Sequence, residues 1–237
     1  MKNTKRFGMM MIVFMFSMMI ANAQVQETIL KKHFETVGSE QSWENIQRIS
    51  CNITHVMGND TILEKRQLIV GKALRIDYTF KTRNEAMRDK KYFILINEHK
   101  GWRYLPDNAK DTLEMLNESE INYNLNDHIF NDALVKNKEV KTIEFINKVL
   151  LNDEIQNKFV VEYKSGAKKY VFVGNKSNLI TQTMELSSDT EKEFYYKNYQ
   201  KVNDLLIPFE ISNDHEKYLI NSIEINKPIN EMVFKLK

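Results

Sequence analysis

The feature that most limits how this chain can fold is a period of two that recurs from Ile49 almost to the C-terminus. Leu74, Ile76, Tyr78 and Phe80 alternate with Arg75, Asp77 and Thr79, which puts the first four on one face of a strand and the other three on the opposite face. Ile49, Cys51 and Ile53 alternate in the same way with Ser50, Asn52 and Thr54, and Gly58-Asn59-Asp60 marks a turn into a return strand over 61–70. Residues 90–97 are apolar on both faces, so that strand is expected to be covered on both sides. Gly101-Trp102-Arg103-Tyr104 reads as a short strand ended by Pro106-Asp107-Asn108. Further strands are expected at 140–146, 157–164, 168–174, 179–187, 191–199, 206–213 and 217–225.

Helical spacing interrupts this pattern twice. Ile29, Leu30, His33, Phe34 and Val37 define one apolar face of a helix near 26–37, and Gly38 is placed to stop it. His33 on that face reads as a packed histidine rather than a ligand. Asn117 with Glu120 three residues later forms a capping box with Asn at the cap, and Ile121, Leu125, Ile129 and Ala133 then mark a helix over about 118–134, with His128 beside its face. Trp43 and Ile46 lead into the first strand, and the final segment from Pro228 is expected to pack Phe234 back onto the sheet. Such an order is neither a βαβ series nor a helical bundle. It fits a mainly β (α+β) chain: a strongly curved, partly closed antiparallel sheet of about ten strands with two or so helices on its open side.

The N-terminus predicts export. Lys2, Lys5 and Arg6 precede an apolar run from Phe7 to Ile20, and Ala21-Asn22-Ala23 offers small residues to a signal peptidase, so residues 1–23 read as a cleaved signal peptide with Gln24 the first mature residue. A run of 14 residues is short of the roughly 20 that a spanning helix needs. Removing the signal takes the formal charge from +2 to −1, and no basic block interleaves with aromatics, so no nucleic-acid partner is expected. The remaining 24–237 is long enough for a single domain with its own core. Cys51, the only cysteine, lies between two isoleucines of one strand face and reads as a buried, inert thiol.

Catalysis has little to work with. The five histidines (33, 55, 99, 128 and 215) show no metal-binding spacing, and neither a nucleophile elbow nor a Gly-rich phosphate loop is present, so no metal, no cofactor and no enzymatic activity are expected. Asp153-Glu154 falls in a predicted turn, where solvated charge is the ordinary reading. Asp60-Thr61-Ile62 and Asp111-Thr112-Leu113 resemble the Asp-Ser/Thr-aliphatic acceptor of bacterial O-glycosylation.

Several segments, taken in order, resemble the exported LolA-like proteins, the family of periplasmic lipoprotein carriers and outer-membrane lipoprotein-sorting proteins. These are Ile29-Leu30 through Val37-Gly38 to Trp43-Glu44-Asn45-Ile46, then Leu68-Ile69-Val70 with Leu74-Arg75-Ile76-Asp77-Tyr78. Lys100-Gly101-Trp102-Arg103-Tyr104-Leu105-Pro106, Tyr195-Tyr196-Lys197-Asn198-Tyr199 with Ile207-Pro208-Phe209, and Ile223-Glu224-Ile225-Asn226 with Phe234 complete the series. The resemblance implies a half-open β-barrel with helices as a lid over an acyl-binding cavity. It implies a monomeric periplasmic carrier for lipoprotein acyl chains or another lipid, with donor and acceptor proteins in the inner and outer membranes. Residues expected to line the cavity are Ile49, Ile53, Ile76, Tyr78, Ile94 and Trp102, with Ile121 and Leu125 on the lid. In place of the carrier's critical Arg-Pro after the second-hairpin strand the chain reads Gly71-Lys72-Ala73, and Lys lacks the planar donor fork of Arg. A paralogue with another hydrophobic cargo is therefore expected. The competing expectation is a non-catalytic cell-envelope interaction module whose cavity is filled by its own side chains.

Overall fold

The structure, a computed structural model, describes residues 23–82, 91–106, 111–126, 132–136, 139–186 and 191–236. The expected signal peptide lies outside these residues up to Asn22, as do His128 and Ile129. The chain is mainly β, with thirteen strands among the described residues rather than about ten, all pairing antiparallel where paired in register. The described residues divide into two compact units, one within 23–37 and 136–193, the other within 38–135 and 194–236.

In the first unit a helix over 23–37 (α1) accompanies β7 (Val140–Leu151), β8 (Glu154–Tyr163), β9 (Lys168–Gly174) and β10 (Ile180–Leu186), ordered β10-β9-β8-β7. The β7–β8 hairpin closes through Asn152 and Asp153, whose positive φ of 49° and 61° make the two-residue primed turn that suits strand twist. Phe159, Val161, Val171 and Val173 are fully buried. Gln26 of α1 reaches β7, donating from Nε2 to the Ile143 carbonyl (2.9 Å) and accepting from the Phe145 amide (2.9 Å). That pair satisfies a strand at the end of its sheet, beside the bulge between Phe145 and Asn147. His33 is buried, as the sequence suggests, with Nδ1 2.7 Å from the carbonyl of Asn178.

The second unit opens with Gly38, at φ +105°, where a Cβ would come within 2.6 Å of the Asp204 carbonyl oxygen. A one-turn helix follows (α2, Glu40–Glu44), capped by Ser39 and burying Trp43, which the sequence reading passed over. The sheet comprises β1 (Arg48–Met57), β2 (Asp60–Ile69), β3 (Ala73–Lys81), β4 (Lys91–Asn97), β5 (Lys100–Pro106), β6 (Asp111–Met115), β11 (Glu191–Val202, from Phe194 on), β12 (Leu205–Ser212) and β13 (Glu216–Ile225). Their order is β6-β5-β4-β3-β2-β1-β13-β12-β11, an open sheet with β6 at one end. β6 was not expected: the sequence reading placed no strand between Asn108 and the helix that begins after Asn117. The α3 helix spans Glu118–Asn126 and so falls short of the expected 134; residues 132–136 form a turn, and Ala133 belongs to it. The tail behaves as expected: Phe234, in a 3-10 turn over Glu231–Phe234, packs against Ala73 and Leu95.

Candidate functional site

Direct cross-strand partners project to the same side of a sheet, so the registers give the faces. One row runs Ile225, Ile49, Leu68, Leu74, Ile96, and the next runs Cys51, Arg66, Ile76, Ile94, Arg103. A third runs Ile220, Ile53, Glu64, Tyr78, Tyr92. Leu74, Ile76, Tyr78 and Phe80 thus share one face, as their alternation requires. Seven of the eight residues expected to line a cavity belong to this face or its cover. Ile49, Ile53 and Ile76 are only 0%, 1% and 2% exposed, whereas Tyr78 and Ile94 are half-buried.

Ile121 and Leu125 of α3 are buried. α3 sits on this side of the sheet, because a Cβ on Gly101, which pairs with Ile96, would lie 2.9 Å from Ile121 Cγ1. Its N-terminus closes as the sequence predicts. The Glu120 amide donates to Asn117 Oδ1 (3.0 Å) and the Asn117 amide to Glu120 Oε2 (2.8 Å). Arg103 adds a tether, donating through Nη1 to Glu120 Oε1 (3.1 Å) and through Nε to Glu114 Oε2 (2.7 Å).

Trp102 is the exception. It pairs with Leu95 and Met115, one residue out of phase with Ile94 and Arg103, and it packs on the opposite face in the cluster of Ala73, Leu95 and Phe234. A shift of one residue sends a strand side chain to the other side of the sheet, and the short stretch around Trp102, mixed in polarity, does not define its phase. Lys72, which stands at the departure from the carrier pattern, is half-exposed and 3.8 Å from Glu231, away from the apolar face.

A polar band crosses the apolar face, and the sequence reading missed it. Arg66 Nε donates to Glu64 Oε1 at 2.7 Å, with the two side chains 14% and 3% exposed. Arg66 also bonds the Tyr78 hydroxyl, whose ionisation is held above the usual phenol range by burial first and by the Glu64 charge second. One step along, His55 Nε2 lies 2.9 Å from Glu216 Oε2, the Tyr218 hydroxyl donates to the same oxygen at 2.9 Å, and the His55 and Tyr218 rings stack at 4.1 Å. The signal was there in β2: positions 62, 64, 66 and 68 share a face, and the inner pair, Glu64 and Arg66, interrupts two apolar residues.

Burial pushes the Cys51 thiol up to about 12, so no thiolate nucleophile forms near neutral pH. Among the described residues no three His, Cys, Asp or Glu side chains are grouped to hold a metal ion, and no helix is long and apolar enough to cross a membrane. Of the two resemblances to glycosylation acceptors, Thr112 is exposed on β6 and Thr61 half-buried on β2.

The fold these elements define is LolA-like. A LolA superfamily protein from Nitrosomonas europaea is similar over 89% of this chain and 97% of its own, with a TM-score of 0.55 and 11% identity. An outer membrane lipoprotein-sorting protein domain from Vibrio parahaemolyticus matches over 87% and 94%, with a TM-score of 0.53 and 10% identity. A DUF1329 family protein from Desulfovibrio piger matches over 86% and 96%, with a TM-score of 0.54 and 11% identity. No protein-family model and no curated protein matches the sequence. At such identities the likeness speaks for the fold alone.

Proposed function

We propose that this chain is a non-enzymatic binding protein of the bacterial periplasm that carries a lipoprotein acyl chain, or another acylated ligand, on the apolar face of β1–β4, the inner face of a half-barrel, with α3 as its lid. The observation that carries this reading is the balance between what holds α3 down and what an acyl chain would gain. Burial of Ile121 and Leu125 holds the helix by about 3–6 kcal/mol together. The capping box supports the helix itself by about 1 kcal/mol, and the tether to the half-exposed Arg103 adds little. Removing a chain of about 16 carbons from water gains on the order of 12 kcal/mol. An acyl chain therefore outcompetes the lid for the same face.

Ile49, Ile53 and Ile76 are packed too closely to border a void, so loading requires α3 to move. The half-buried Tyr78 and Ile94 are the points of entry. The chain is taken to be cut after Ala23, to act as a monomer, and to exchange cargo with membrane-bound donor and acceptor proteins. The same close packing favours the second reading, an envelope interaction module that keeps its face filled.

Titration of the mature protein with a 16-carbon fatty acid, a phospholipid and an acylated peptide separates the two. Micromolar binding that Ile94→Glu abolishes supports the carrier, since a carboxylate in the path of the chain is desolvated on loading. Ile94 is the better probe than Ile76, where a buried charge would endanger the fold itself. No binding of any of the three assigns the chain to the interaction module.

A further inference from the structure

The first unit holds a cleft of about 410 Å³ between α1 and the strands, and none of its lining residues belongs to the apolar face described above. Thr28, Ile29 and Lys32 form its helical wall, Lys148 and Asn157 its sheet wall, and Asn175 and Asn178 of the β9–β10 connection its end. We propose that this cleft binds a small hydroxylated carboxylate of the uronate class, a site independent of acyl binding.

Its frame is fixed before any ligand arrives. Gln26 pins α1 to β7, and the bond between His33 and the Asn178 carbonyl fixes the loop to α1 at the other end. Lys148 reaches across to Asn175, donating to Oδ1 at 3.0 Å. The charge is one-sided: two ammonium groups and several carboxamides line the cleft, with no Asp or Glu among them. An anion is therefore favoured over a neutral or cationic ligand.

Asn157 decides what else the ligand must carry. It is 3% exposed, and its Oδ1 is one of two buried side-chain polar atoms without a partner among the described residues, the other being Trp43 Nε1. Its Nδ2 faces the Val173 carbonyl at 3.4 Å, so flipping the amide would set oxygen against oxygen. The unpaired group is thus an acceptor, and a buried acceptor calls for a donor. A sulfate or the dianion of a phosphate monoester has none to offer. A carboxylate bearing hydroxyl groups supplies both the anion for Lys32 and Lys148 and the O–H for Asn157, and the apolar Val25 and Ile29 suit the C–H face of a sugar ring. The cleft's volume of about 410 Å³ falls within the roughly 300–1,000 Å³ of small-molecule sites.

The test is amide NMR of the mature 15N-labelled protein titrated with D-glucuronate, D-galacturonate, D-glucose, D-galactose and inorganic phosphate, each to millimolar concentration. At least one uronate is expected to shift the amides of Asn157, Asn175 and Asn178, with the neutral sugars without effect. Lys148→Gln and Lys32→Gln, both at exposed positions, are each expected to weaken that binding by about tenfold or more. Asn157→Val is expected to lose the binding while Tm holds or rises, because it removes an unsatisfied buried group from a strand. The proposal is overturned if neither uronate shifts these amides, if the neutral sugars do so equally, or if phosphate binds more tightly than the uronates. Unchanged affinity in both lysine variants overturns it too, as does a fall in Tm for Asn157→Val, which would make that amide purely structural.

Discussion

Gly101→Ala loads the lid without touching what holds the sheet together. Gly101 is buried on β5, and an added Cβ would stand 2.9 Å from both Ile121 Cγ1 and Leu116 Cδ1 and 3.1 Å from Leu116 Cβ. The nearest atoms belong to α3 and the residue leading into it, so the strain falls on the cover. Overpacking of one methyl costs about 1–3 kcal/mol, to be set against the roughly 3–6 kcal/mol by which Ile121 and Leu125 hold α3. With each 1.4 kcal/mol worth a factor of ten, opening of α3 should become about 5–150 times more frequent. The strand itself is not weakened, because Ala is the better strand residue by about 0.5–1 kcal/mol. Amide hydrogen exchange followed by mass spectrometry reads this directly: peptides over 116–126 should exchange faster by that factor, and peptides over β1–β3 should not change. Faster exchange in β1–β3 with α3 unaffected would refute the idea that α3 is a separable, weakly held cover.

Three further outcomes are expected, the first two from the geometry and the third from the N-terminal sequence. Arg66→Met leaves Glu64 buried without its partner and should cost about 3–5 kcal/mol in urea unfolding, whereas replacing both residues by apolar ones should be close to neutral; equal losses in the two variants would contradict this. Because Cys51 ionises near 12 in the fold against its ordinary value of 9.0, the unfolded chain releases its proton first, so stability should fall as pH rises from about 9 towards 12. The slope due to this thiol is about 1.4 kcal/mol per pH unit, it should vanish in Cys51→Ala, and the native thiol should resist alkylation at neutral pH. Intact mass of the envelope-fraction protein should show loss of residues 1–23, and retention of the full 28.1 kDa chain would indicate an anchor instead.

Where alternation was sustained, the face could be read from the sequence. Leu74 to Phe80 set four residues in phase over seven positions, and no other arrangement puts all four on one face of the sheet. The capping box at Asn117 was equally legible because it is a local, three-residue relation, and both of its hydrogen bonds are present. Trp102 was misplaced because Gly101-Trp102-Arg103-Tyr104 mixes apolar and polar residues without a phase; only pairing with β4 sets it. The helix at 118 was extended too far because Ala133 continues the spacing, although residues 132–136 turn instead. The cleft of the first unit could not be foreseen at all. Lys32, Lys148 and Asn157 each look like ordinary surface polar residues until α1 is laid beside β7 and β8. Asn157 is isolated by burial, which no local pattern records.

The central claim, that the apolar face of β1–β4 carries an acyl ligand, is tested most directly by mass spectrometry of organic extracts from the protein isolated from the periplasm of its own cells, beside the Ile94→Glu variant purified in the same way. The carrier account predicts an acyl lipid or acylated peptide in stoichiometric amount with the natural protein and its loss from the variant. A natural protein free of any such molecule, and unable to take one up when supplied, would contradict the account.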